Sequence, residues 1–299
     1  MRITNKKELA GETFVFISIL FNALEPIAIN YSVKLIQPIL FAGLYVFLCS
    51  ILFLIYVLAT KTFHEIFNKK AFKYILGVTA FIVIIPSILI FTGSKMTSGI
   101  NTALLLQIEV FFTLLICGAF YKEKITSKKV ISSLLIAIGA ILILYNGNLN
   151  LNLGGLLIIA ATIFYPFGNM CAKEALKLSS PAPILFLRTF LGGITLLTIS
   201  FIFENSAQQF LPDIKTIFFS VIILSILTVV VAKIFWYKGL KKLEIGKAIA
   251  ISTASPAISL IFAMIFLREI PTIYQIAGLT VIIFGVYLLT KKTKLETIT

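Results

Sequence analysis

Glu109 has the most chemistry to offer in this chain. It is the sole charged residue of an apolar stretch, 98–120, where an ionised acidic side chain costs about 2.5–3.5 kcal/mol on insertion scales. A carboxyl kept at that depth can exchange a proton or meet a cationic group; the structural alternative is a protonated or paired glutamate that locks helices together. Thr102, Leu106, Glu109 and Thr113 follow one another at helical spacing, so they share a stripe. Gln107 points roughly opposite Glu109 and is expected to pack between helices. Glu25 follows Ser18 and Asn22 on a second stripe and precedes Pro26, which removes a backbone hydrogen bond beside it. Thr162, Tyr165 and Asn169 form a third stripe next to Pro166. These residues either line a cavity or bond neighbouring helices. Arg188 lies about one and a half turns inside an apolar stretch, where it either snorkels or faces a carboxylate: a substrate's, Glu109 or Glu174. Trp236, the single Trp, stands between Lys233 and Tyr237, either in an interfacial aromatic belt or stacked on a substrate.

The residues the chain lacks are as informative. Asp213 is the one Asp and His64 the one His, so no multi-histidine metal centre or Asp-rich phosphoryl-transfer site can be assembled. A membrane-embedded enzyme would need His, Asp or Cys at the water boundary, and His64 stands alone beside Glu65. No Gly-rich nucleotide loop occurs, so no cofactor is expected and ATP-driven transport by this chain alone is excluded. Cys49, Cys117 and Cys171 all fall in apolar segments and read as buried, inert thiols.

Something must hold these groups in an apolar setting. Of 299 residues, 59% are hydrophobic and 13% charged, and the mean hydropathy is +1.05. Soluble domains are roughly 45–50% apolar and about 25% charged. Spanning helices need about 20 apolar residues, and ten stretches qualify: 12–31, 38–59, 74–92, 98–120, 130–146, 153–172, 182–203, 216–236, 248–267 and 273–290. The first is too long and too polar near its end to be a cleaved signal peptide. With the N-terminus cytoplasmic, the outside loops hold only Lys34, Lys95, Lys215 and Arg268, while Arg188 and Lys233 lie within spans; every other cation of the 26 falls inside. That bias predicts both termini in the cytoplasm and assigns the +14 charge to orientation and anionic headgroups, with no nucleic-acid role. Short loops and the absence of a targeting peptide predict a plasma membrane, in the manner of a bacterial inner membrane.

The chain also repeats. Displaced by 146 residues, Gly93 meets Gly239, Leu114 meets Leu260, Phe120 meets Phe266, Glu123 meets Glu269 and Gly139 meets Gly285. Pro-Ile-Leu-Phe opens both 38–41 and 183–186. The expected architecture is all-α, with two five-helix halves, 1–147 and 148–299. An odd number of spans per half turns the second copy upside down, an inverted repeat with substrate between the halves near the midplane. The mates of Glu109's stripe are Ala248, Ser252, Ser255 and Ser259, so an acidic and a hydroxylic wall could face one cavity. Gly139 and Gly285, with Ser132 and Gly278, give the fifth and tenth spans small faces for close helix packing or, alternatively, a dimer contact.

Phe120-Tyr121-Lys122-Glu123 followed by Gly139, Phe266-Leu267-Arg268-Glu269 followed by Gly285, and Ala254-Ser255-Pro256 resemble the twin signatures of the EamA family, within the drug/metabolite transporter superfamily. The resemblance runs through essentially the whole chain. Arg188, five residues after Pro183, fits an arginine common there, while its first-half counterpart is Gly43; Glu109-Val110 stands where the Ser-Pro pair would repeat. The resemblance implies a secondary transporter, often an exporter of amino acids or related metabolites. It would work by alternating access, as monomer or homodimer, with protons a possible coupling ion. Uptake or exchange by the same fold is the alternative; a channel or scramblase fits the spans but not the asymmetric polar centre. Glu25, Asn22, Glu109, Tyr165, Asn169, Ser252, Ser255, Arg188 and Trp236 are the candidate substrate or coupling residues. Glu123 and Glu269 are expected to cap the helix that follows each.

Overall fold

Apolar stretches joined by loops of a few residues can only stack as helices, because in lipid each backbone N–H and C=O must be satisfied within its own segment. The computed structural model describes residues 6–121, 127–145, 147, 152–204, 231–240, 242, 251–252 and 254–290, and among these every regular element is helical. Helix α1 is Lys6–Leu35, α2 is Pro38–Ala59 and α3 is Lys69–Lys95, which loosens into a π-helical stretch at Thr79–Ile84. Helix α4 comprises Gly99–Leu105, a 3-10 turn at Leu106–Ile108, and Glu109–Tyr121. Then come α5, Ser127–Tyr145; α6, Leu153–Leu176; α7, Pro181–Phe203; and α8, Ala232–Leu240. Helix α9 is Ser255–Phe262, continued by a π turn at Ala263–Leu267, and α10 is Ile273–Thr290.

Seven of the described helices, α1 to α7, are long and apolar enough to cross a membrane; shorter apolar helices follow at Ser255–Leu267 and Ile273–Leu288. Most of the stretch expected at 216–236 and the beginning of that at 248–267 lie outside the described residues, as does Glu123. Starts are set by the residues that stop helices elsewhere. Pro38 and Pro181 open α2 and α7, and the side chains of Asn68, Ser98 and Asn152 accept backbone N–H groups at the starts of α3, α4 and α6. Thr272 and Gln275 form a reciprocal capping box at the start of α10.

The helices pair selectively. Helix α2 lies against α7 and α5 against α10; α1 packs on α8 and α9, while α6 packs on α3 and α4. Small residues make these approaches possible. A Cβ on Gly139 would sit 2.7 Å from the Gly278 carbonyl oxygen, and one on Gly278 would sit 2.6 Å from that of Gly139. Gly93 and Gly154 bring α3 and α6 together in the same reciprocal way, at 2.6 and 2.5 Å. Only hydrogens fit between such backbones, and the closeness supplies the dispersion contact that apolar burial cannot supply within lipid. The small faces around Gly139 and Gly285 thus serve packing inside the bundle.

Candidate functional site

Where the large apolar side chains give way to polar ones, α1, α2, α3, α4, α6, α7 and α9 enclose a cavity of about 370 Å³, a size that suits a small ligand. Helix α1 contributes Asn22 and Glu25, one turn apart. The Glu25 carboxylate accepts the Tyr45 hydroxyl proton from α2 at 2.9 Å. Opposite, α7 brings Arg188, and α6 brings Tyr165, which lies within electrostatic reach of Glu25, Glu109 and Arg188 together. Ser255 and Ser259 of α9 close another wall, and Ser259 donates to the Ala23 carbonyl of α1 at 2.9 Å.

Glu109 is bonded by Asn169 of α6 and stands behind this lining rather than in it. The reason is the 3-10 turn at Leu106–Ile108. Three residues at about 120° each, instead of about 100°, rotate Glu109 by about 60° out of the stripe begun by Thr102. Thr102 spends its hydroxyl on Ser94 and the Ser98 carbonyl. Gln107, expected to pack between helices, lines the cavity instead. Trp236 packs with Ile251 and Ile258 against Val15 and Ile19, outside this lining, because α8 lies along the N-terminal part of α1. Ser252 is half-buried outside the cavity lining, whereas its neighbour Ser255 lines it. Cys49 is buried on the cavity wall; Cys171 is half-buried, its sulfur filling the space above Gly77.

Beyond Ile29, Phe91 and Ala103 of the lining, polar groups interlock. Asn30, fully buried, donates to the Ser94 carbonyl at 2.6 Å, the Ser94 hydroxyl at 3.2 Å and the Thr97 carbonyl at 3.1 Å. Thr97 in turn accepts from Asn152 at 2.7 Å, and Gln275 donates to Asn101 at 2.8 Å. Carboxylates then cross from helix to helix. Glu269 accepts the backbone N–H groups of Gly99 and Ile100 at 2.8 and 2.9 Å, so it caps α4 rather than the helix that follows it, which Thr272 and Gln275 already cap. Glu204, at the end of α7, accepts the N–H groups of Ile39 and Leu40 at 2.9 and 2.8 Å and so caps α2. At the opposite end of the same helix pair, Glu65 accepts from the Ser180 backbone and the Ser179 hydroxyl at the start of α7. The Ser180 N–H, chiefly, holds the Glu65 carboxyl below the usual glutamate range. These three caps escaped sequence reasoning because cap and carboxylate are far apart in the chain.

The family model of the EamA-like transporters matches this chain twice, over residues 9–145 and 152–291. The chain belongs to the EamA-like transporter family. Within the drug/metabolite transporter superfamily it is therefore a multi-pass membrane transporter, not an enzyme. An uncharacterized transporter of Archaeoglobus fulgidus is 25% identical over 266 residues, covering 89% of this chain and 93% of that protein. YyaM of Bacillus subtilis, also an uncharacterized transporter, is 22% identical over 73% of each chain. A probable amino-acid metabolite efflux pump of Salmonella typhimurium is 25% identical over 196 residues, 62% of this chain and 65% of its own. A solved crystal structure, 15% identical, superposes with a TM-score of 0.65 over 95% of this chain and 97% of its own, a likeness of fold. In this EamA-like transporter, Asn22, Glu25, Tyr165, Arg188 and Ser255 meet at one cavity, with Glu109 and Asn169 bonded to each other behind it.

Proposed function

We propose that this transporter exports a small metabolite, such as an amino acid or related compound, by secondary alternating access between two inverted five-helix halves, 1–147 and 148–299. The observation that carries the reading is the cavity in which carboxylate, phenol, guanidinium and hydroxyl groups from both halves converge. Groups of both charge signs suit a ligand bearing an amine and an acid. The halves are supported by the double family match and by the helix pairing. Exchanging each helix with the one five places along maps α2–α7 and α5–α10 onto themselves, α1–α8 onto α6–α3, and α1–α9 onto α6–α4. Both termini are cytoplasmic and the membrane is the plasma membrane, a bacterial inner membrane by its short loops, because the cations gather on that side. The Asn30 end of the cavity is then the outer end. Glu109 carries the coupling proton, with Asn169 as the partner that holds its carboxyl at membrane depth.

The test is a metabolite survey of the medium from cells expressing wild type, Glu109→Gln or empty vector at matched membrane levels. Compounds enriched by wild type and not by the variant support export coupled through Glu109. Equal enrichment by the variant removes Glu109 from the mechanism. No enrichment by either overturns export and turns the assay to uptake of compounds supplied outside. In liposomes, Glu109→Gln should lose gradient-driven transport and keep substrate exchange.

A further inference from the structure

Glu269 belongs to the polar cluster beyond the Asn30 end of the cavity, at the start of α4. Its carboxylate, 17% exposed, sits one residue beyond Arg268, whose φ of 55° turns the chain sharply back after the π turn that ends α9. It takes both free N–H groups of the first turn of α4, the helix that carries Glu109. A helix N-terminus bears partial positive charge, so a carboxylate there is bonded and electrostatically favoured. Around it, residues of different helices interlock: Asn30 of α1 holds Ser94 and Thr97, Asn152 holds Thr97, and Gln275 of α10 holds Asn101. Gly99 leaves room for the joint: a Cβ there would lie 2.2 Å from Leu267 Cδ1, so that side chain would have to swing aside, while Asn30 Oδ1 and Glu269 Oε2 would stay in ordinary contact at 3.5 Å. Lys34 stands 3.9 Å from Glu269 Oε1 on the exposed side. Each of these contacts joins segments far apart in the chain.

Resting on the reading of alternating access and on the orientation given above, we propose that Glu269 is the latch of the outer gate. It keeps α4 of the first half joined to the end of α9 of the second while the cavity is closed to the outside, and it lets go when the halves part. By contrast Glu204 and Glu65 tie α2 to α7 at both ends, so that pair moves as one body and its caps stay made throughout the cycle.

The experiment reads gate opening without any substrate, so its failure and the failure of the export reading are separable. In a background with Cys49, Cys117 and Cys171 replaced, Ala103→Cys is the reporter: Ala103 is 2% exposed and lies on the cavity wall. An impermeant cationic methanethiosulfonate is added outside to right-side-out vesicles. Glu269→Gln should raise the modification rate tenfold or more, Glu269→Asp by less, and Glu204→Gln not at all. An unchanged rate in Glu269→Gln that keeps wild-type heat stability overturns the latch, as does equal acceleration by Glu204→Gln. Should Glu269→Gln fail to fold, a disulfide between Asn101→Cys and Gln275→Cys carries the test. It should suppress reporter modification at least tenfold and release it on mild reduction. Modification that continues unchanged with that cross-link formed overturns the proposal.

Discussion

Removing the Glu204 carboxylate should destabilise the transporter at a place far from its cavity, and the size of the effect follows from the geometry. The first turn of α2 has no side-chain cap of its own, since Gln37 makes none. Two of its N–H groups, those of Ile39 and Leu40, end on Glu204 at 2.9 and 2.8 Å, and Ser200 adds a third bond to the same carboxylate at 2.9 Å. Hydrogen bonds to a charged group are each worth about 1.5–3 kcal/mol when buried. Glu204 is only partly buried, so water replaces much of that in the variant. What remains is close to the loss of one good cap, about 0.5–2 kcal/mol. Glu204→Ala should therefore cost up to about 2 kcal/mol, or roughly 3 °C of melting temperature for a chain of 299 residues. Glu204→Gln, which keeps one carbonyl acceptor without the charge, should fall about halfway. The assay is thermal unfolding in lipid nanodiscs, followed with a thiol-reactive fluorogenic dye that reports the buried Cys49. Hydrogen exchange at the Ile39 and Leu40 amides should quicken alongside. A Glu204→Ala protein that melts within about 1 °C of wild type, with unchanged exchange at those amides, would refute the claim that this crossed cap stabilises the fold.

Two further outcomes rest on equally specific contacts. The Glu65 carboxyl is held below its ordinary value of 4.5 by the Ser180 N–H. A depressed carboxyl contributes stability that is present above its unfolded pKa and is lost as pH falls through its folded pKa. Wild type should thus lose heat stability on going from pH 6 to below the glutamate range, and Glu65→Gln should lose less over that interval, a difference that shrinks in high salt because the group is only partly buried. Gly278→Ala should separate α5 from α10, because the new Cβ would lie 2.6 Å from a backbone oxygen that cannot swing aside. The expected cost is about 1–3 kcal/mol. Gly155→Ala, whose nearest contact is the flexible end of Leu144 at 2.6 Å, should cost less; a melting comparison of the two that shows no difference removes the packing argument.

Much of this transporter was legible before any coordinates. Stretches of about 20 apolar residues must be helices in lipid whatever surrounds them, so α1 to α7 stand where periodicity and length put them. Polar residues too costly to expose to lipid had to face the interior. Glu25, Asn22, Tyr165, Arg188 and Ser255 accordingly share one cavity, although they come from four helices. Local rules failed wherever the answer depended on helix phase or on a partner distant in the chain. A turn of 3-10 helix, invisible in composition, turned Glu109 out of the lining that Leu106 and Gln107 share. Trp236 was decided by which helix α8 met. Glu269 and Glu204 cap helices some 165 to 170 residues away, and no spacing rule reaches that far. The sequence by itself determined that the chain lives in a membrane, that its long apolar segments are helices and which groups are too polar to face lipid, since transfer free energies act on each segment alone. Only the tertiary structure decided which of those groups meet, what lies beyond the end of the cavity and which helix caps which, because those are properties of pairs of helices.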